Sequence, residues 1–317
     1  MKKILAIALL CFSTFSSLAQ ITKPTMISGA DSLSAEEVEQ TLANVSEQLI
    51  STYLHPQKAK SLDKELLSAA FNNRNQKAIS TQQFISDLRT LLRDATADKY
   101  IDVVLYEKTR ISSSKDRNYT APPVTSKLIE GNVGVLTITN DLLLSNTDEV
   151  IINAMNSLQG ADALIIDLRQ ADETNIATIR LLLSYFFPAE TRIADVHLKN
   201  ETINLNTIAI DRTTILRKEF PLYIVNSAFV SGSWELLSFV LKNQHKAVLV
   251  GEDTMGHTQL STQIHVHNNI VLTLPYAMVT SPETEANWQF GVTADVHIDS
   301  PMALDKAHEL ALRHLQQ

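Results

Sequence analysis

Asn226-Ser-Ala-Phe-Val-Ser-Gly-Ser-Trp-Glu235 holds the serines of this chain best placed for chemistry. The stretch follows a strand-like run, Pro221 to Val225, and opens a helix-like run, Leu236 to Leu241. A serine at a strand-to-helix turn is where a serine hydrolase holds its nucleophile. Such a hydroxyl attacks a carbonyl only when a base takes its proton and donors receive the oxyanion. Turns of this shape also occur with no chemistry, their serines capping the helix. The neighbours must decide between the two.

Four of the histidines are poorly placed to help. His265 and His267 share one face of a strand-like run, a spacing that could hold a metal, but no third ligand accompanies them. An exposed strand face accounts for that pair better. His308 and His314 fall on a terminal helix-like run and read as solvent-facing. No metal and no cofactor is implied.

The elements that must position the turn change character along the chain. Ser34-Ala-Glu-Glu37 and Ser80-Thr-Gln-Gln83 have the spacing of capping boxes. Val38, Leu42, Val45 and Leu49 follow the first at helical spacing, and Phe84, Ile85, Leu88, Leu91 and Leu92 follow the second. His55-Pro56 can open another helix between them, through Phe71. Residues 20–107 thus read as a small N-terminal helical bundle, with a strand from Ile101 to Tyr106. Residues 108–127, polar and carrying Pro122 and Pro123, read as a linker. From residue 128 to 317, strand-like runs alternate with helical ones: Val133–Thr139, Ala163–Leu168, Leu222–Val225 and Ala247–Val250 against Asp148–Leu158, Ile176–Phe187 and Trp234–Leu241. That alternation predicts a largely parallel α/β core. Alternating β follows, through Ile264, Val266, Ile270, Leu272 and Leu274, and Ala303–Leu315 closes as an amphipathic helix.

Residues 1–19 read as a signal peptide. Lys2 and Lys3 precede a short apolar run, Ile4 to Leu10, and Ser17-Leu-Ala19 is a small-x-small cleavage site. The only cysteine, Cys11, lies inside this segment, so the mature chain has no thiol and no disulfide. A secreted or periplasmic location follows. The net charge of −8 argues against nucleic acid as a partner. Beyond the leader, no apolar run approaches the length of a transmembrane helix.

Five segments, in order, resemble those of the tail-specific (C-terminal-processing) serine peptidases. Gly131-Asn-Val-Gly-Val-Leu-Thr-Ile138 is similar to the strand that opens their core, and Asp162-Ala-Leu-Ile-Ile-Asp-Leu-Arg169 to their Asp-Leu-Arg strand. Asn226 to Glu235 resembles their nucleophile turn, and Val250-Gly-Glu-Asp-Thr-Met-Gly256 the Gly-Glu-x-Thr-x-Gly loop after it. Asn287-Trp-Gln-Phe-Gly-Val292, then Asp295, resembles the late Trp-Glu-Gly…Gly-Val-x-Pro-Asp segment of the branch containing the tricorn core peptidase and interphotoreceptor retinoid-binding protein. The resemblance implies an α/β fold, a crotonase-like (ClpP-like) β/α superhelix. Its implied partners are a peptide or protein substrate, or an apolar small ligand.

The resemblance also assigns a catalytic set, and this chain departs from it. Ser231 matches the nucleophile, and Gly232 could offer a backbone N–H to the oxyanion at the helix start. The branch's histidine position is Tyr100, a poor base at neutral pH. Its glutamate is Gln289, which cannot offset an imidazolium charge. Its glycine pair after Asp-Leu-Arg is replaced by Gln-Ala-Asp-Glu-Thr174, where Asp172 and Glu173 carry the wrong sign for an oxyanion and read as solvated loop residues. One substitute exists. Another branch uses a lysine just after the Gly-Glu-x-Thr-x-Gly loop, and His257 falls at that slot. The expectation is a degenerate serine peptidase with weak or no hydrolysis; the alternative is an active endopeptidase using Ser231 with His257 as base.

Overall fold

The computed structural model describes residues 32–73, 78–106, 122–142, 146–210 and 220–317. The proposed leader, its cleavage site and Cys11 lie outside these residues, as does most of the proposed linker.

The N-terminal part runs β1 (Ser32–Leu33), α1 (Ala35–Thr52), α2 (Pro56–Asn73), β2 (Ile79–Ser80), α3 (Thr81–Thr96) and β3 (Asp102–Leu105). The first capping box forms: the Glu37 N–H donates to Ser34 Oγ at 3.3 Å, and the Ser34 N–H donates to Glu37 Oε2 at 2.8 Å. The second does not, because the Ser80 side chain makes no cap bond and the residue is held in β2, paired with Ser32.

Next come β4 (Val124–Ile129), β5 (Val133–Leu142), α4 (Thr147–Ser157), β6 (Ala163–Thr174), α5 (Ile176–Ser184), β7 (Arg192–Leu198), β8 (Thr202–Asn206), β9 (Leu222–Asn226), α6 (Ser233–Asn243), β10 (Val248–Gly251), β11 (Gln259–His267), β12 (Ile270–Thr280), β13 (Val296–His297) and α7 (Ser300–Leu315). Six strands form one sheet in the order β13-β10-β9-β6-β5-β4. It is parallel except for β4, which is antiparallel to β5. Residues 124–127 therefore belong to an edge strand rather than to a linker. Ile165, Ile166, Ile224, Val225 and Leu249 are buried, as strands covered on both faces require. Helix α7 packs one face, through Ala303, Ala307 and Ala311. Helices α4, α5 and α6 cover the other.

A second, antiparallel sheet runs β11-β12-β7-β8, with β3 also paired to β12. Here the structure corrects the picture of a self-contained N-terminal bundle. Leu42, Leu49, Leu62, Leu88 and Leu92 share one apolar core with Val266, Ile270, Leu272 and Leu274. The helices bury their apolar stripes on the second sheet, not only on one another. Strand β12 belongs to both major cores, because Ala277 and Val279, farther along it, pack into the core of the parallel sheet. Among the described residues, no helix is long and apolar enough to cross a membrane.

Leu272 is fully buried where the helices meet β12. Leu272→Ala should cost about 2–5 kcal/mol, by lost transfer energy and the cavity left behind. Trp234 and Trp288 lie in the other core. Their fluorescence and the far-UV circular dichroism should shift together in urea; two separate transitions would contradict a single cooperative unit.

Candidate functional site

The turn after β9 is built around a buried carboxylate. Glu235, fully buried in the first turn of α6, accepts four hydrogen bonds. The Gly232 N–H donates to Oε2 at 2.9 Å, and the His257 N–H to the same oxygen at 2.7 Å. The Thr254 hydroxyl donates to Oε1 at 2.5 Å, and the Gly256 N–H at 2.6 Å. Charge-assisted bonds of this kind are the strong ones. They fasten the 250–257 loop to the N-terminus of α6, as does a bond from the Met255 N–H to the Val230 carbonyl, 3.0 Å.

The motif residues hold the remaining loops in register. Thr254 Oγ1 also accepts from the Val292 N–H at 2.8 Å. A Cβ at Gly256, whose φ is +83°, would lie 2.6 Å from the Gln289 carbonyl oxygen, so only glycine fits. Trp288 is buried and donates its indole N–H to the His257 carbonyl at 3.1 Å. Glu252 accepts from the Ala228 N–H at 2.9 Å and from the Ser300 N–H at 3.3 Å, bridging the turn to α7. Arg169 grips Asp167 through two bonds of 2.8 Å and donates to the Ser300 carbonyl at 2.9 Å. Ser227 donates to the Arg169 carbonyl at 3.0 Å, joining the turn to β6.

The positions named from the sequence come together in part. The Tyr100 hydroxyl donates to the Gly256 carbonyl at 2.5 Å, and its ring stacks on His257 with centroids 4.5 Å apart and planes 11° from parallel. Backbone contact at Gly256 brings Gln289 beside the same loop, but the Gln289 side chain is exposed. Asp98 is buried and accepts from the Tyr53 hydroxyl at 2.8 Å and the Tyr100 N–H at 3.0 Å. Burial, and then the Asp98 charge, push the Tyr53 phenol well above its ordinary value. His257 Nε2 is buried with no hydrogen-bond partner, so this nitrogen makes no bond to Ser231. Burial pushes the His257 imidazole below its ordinary value, aided by the Lys99 charge and opposed by Asp98.

Two expectations are corrected. The Gly232 N–H is not offered to an oxyanion, because Glu235 holds it. Asp172 and Glu173 are not in a loop. Strand β6 continues through Thr174, its register with β5 extending to the pair Thr174–Leu142. Without glycines the chain keeps the extended conformation, and both carboxylates are exposed on it. As for the paired histidines, a register irregularity separates His265 from His267. His265 meets the Tyr106 ring edge-on at 5.1 Å, and His267 lies 3.7 Å from Glu37. His308 is half-buried and bonds the Glu130 carbonyl through Nε2 at 2.8 Å. Among the described residues, no group of three or more potential ligands could hold a metal.

Sequence reasoning missed Glu235 as the hub of the site. Its spacing three residues after the N-cap Gly232, just before an apolar run, was the available signal. It also missed an exposed apolar rim. Phe229, Met255 and Phe290 are 79%, 54% and 91% exposed. They stand on three loops locked together by the Met255–Val230 and Thr254–Val292 bonds.

Residues 132–298, more than half of the chain, match the family model of peptidase family S41, and the chain belongs to that family. This is the tail-specific serine peptidase family whose motifs the sequence carries. Among solved structures, the photosystem II D1 C-terminal processing protease is similar at 12% identity and a TM-score of 0.63, over 87% of this chain and 97% of that one. A lipoprotein from Streptococcus agalactiae is similar at 15% identity and 0.61, over 92% and 100%. The tricorn protease is similar at 12% identity and 0.58, over 89% of this chain and 37% of that one. At these identities the likeness is one of fold.

Removing the Glu235 carboxylate strands three backbone N–H groups and a hydroxyl. Glu235→Ala should cost about 3 kcal/mol or more. Hydrogen exchange should quicken at 228–232 and 252–257 before it does elsewhere. Acid should weaken the site as well. With its pKa lowered by folding, His257 binds a proton more readily in the unfolded chain. Its stabilising share is whole above about pH 6.5 and is lost as the pH falls from there toward the folded value. His55, lowered by burial and Lys58, adds to the same loss. In urea titrations from about pH 7 down to about pH 5, His257→Gln should flatten the decline, leaving the His55 share.

Proposed function

We propose that this chain is an exported member of its family that binds peptide on a crotonase-like β/α superhelix, with weak or no hydrolysis. The observation that carries this reading is the closed bonding around Glu235. The backbone donors of the turn and its companion loop, on Gly232, Gly256 and His257, all end on that carboxylate. An oxyanion forming beside them would find these donors engaged and a negative charge nearby. The replaced positions agree: Tyr100 is spent on a backbone carbonyl and a ring stack, and Gln289 carries no charge. The apolar rim of Phe229, Met255 and Phe290 supports a ligand with large apolar groups. Polypeptide is favoured over an apolar small ligand because the rim is open and spread over three loops. The basic, apolar run that begins the sequence supports export to the periplasm or the exterior.

A second reading has one observation in its favour. His257 Nε2 is buried and unpartnered, as a base awaiting a proton would be. In that reading Ser231 attacks and His257 receives the proton.

The proposal is tested with fluorescein-labelled, unstructured peptides rich in Phe and Leu, followed by anisotropy and by chromatography of the bound peptide. Binding with the peptide recovered intact is expected. Phe290→Ser and Met255→Ser should each weaken it about tenfold while changing stability by no more than about 0.5 kcal/mol. No binding, or rapid cleavage lost in Ser231→Ala, would reject the reading.

A further inference from the structure

Gly232 has an unusual backbone for a helix start. Its φ is +59° and its ψ −124°, while it serves as the N-cap of α6. This is the mirror image of the first corner of a type II turn, a conformation costly for residues with a Cβ. Ser231, one residue earlier, is not among the residues with positive φ. The sharp, strained corner of this strand-to-helix turn is therefore at 232.

Packing does not explain the glycine. A Cβ built at Gly232 would meet no heavy atom within 4 Å. Gly251, Gly256 and Gly291 differ, since a Cβ at each would run into backbone atoms. A side chain at 232 would stand out from the corner into open space. In a strand-to-helix nucleophile turn, the strained corner is what thrusts the serine Oγ outward. Ser231 lacks that placement and is half-buried beside the corner.

We infer that Gly232, not Ser231, occupies the position from which a nucleophile would act, so the turn presents bare backbone where a hydroxyl would stand. The open space over Gly232 admits the main chain of a bound peptide more closely than a serine there would. This deepens the binding reading proposed above and rests on it for the nature of the ligand. The position of the corner itself does not depend on that reading.

Single-cysteine variants test the assignment cleanly, because Cys11 is the only cysteine in the sequence and belongs to the proposed leader. Gly232→Cys and Ser231→Cys, made in the chain from residue 20, are alkylated with iodoacetamide across pH. A thiol standing free at a helix N-terminus should react faster than its half-buried neighbour, on the order of tenfold. Faster reaction at Ser231→Cys would overturn the inference. Should the strained corner prevent Gly232→Cys from folding, wild type decides the matter. It is treated with a fluorophosphonate and its 220–245 peptides are weighed: an unmodified Ser231 supports the inference, and an adduct on Ser231 overturns it. Absence of peptide binding would reject the ligand reading and leave these reactivities unchanged.

Discussion

One carboxylate with no access to water governs this site. A buried charge survives only when its lone pairs are met by well-placed donors. Glu235 meets that condition with three backbone N–H groups and a hydroxyl drawn from two separate loops. Those donors cannot be satisfied unless the turn after β9 and the loop after β10 lie in one relative position. The carboxylate therefore fixes the turn, and through Thr254 and Gly256 it fixes the segment carrying Trp288 and Gln289 as well.

The same constraint separates family membership from turnover. Most motif residues shared with the tail-specific peptidases have structural work here. Asp167 and Arg169 join β6 to α7, Glu252 joins the turn to α7, and Trp288 closes over the His257 backbone. Each of these contacts calls for the motif residue whether or not the chain cleaves peptide. The groups that would differ between a peptidase and a binder are few. At those positions the chain has Tyr100 stacked on His257, Gln289 exposed, and a strand in place of a glycine turn. Fold and chemistry are thus decided by different residues.

How much of this was legible in the sequence follows from the range of the interactions. The parallel strands are short apolar runs bounded by helical periodicity, so β5, β6, β9 and β10 could be placed from local pattern alone. The hairpin of β7 and β8 was missed, because β7 does not alternate cleanly and no Asn-Gly or Asp-Gly turn pair joins it to the short alternating run Thr202–Asn206. The union of the N-terminal helices with β12 was also hidden. It depends on β3 pairing across more than 160 residues, which no periodicity encodes. At the site, Ser231, Gly232, His257, Tyr100 and Gln289 could be named from motif spacing. Their bonding could not, since it is set by a glutamate three of whose four partners lie 19 to 22 residues farther along.

The proposed activity is peptide binding with weak or no hydrolysis. It is tested most directly by incubating saturating protein with a bound peptide in water enriched in oxygen-18, then weighing the peptide. The account predicts intact peptide with no heavy oxygen incorporated. New fragments carrying oxygen-18 at their carboxyl ends, absent with Ser231→Ala, would contradict it.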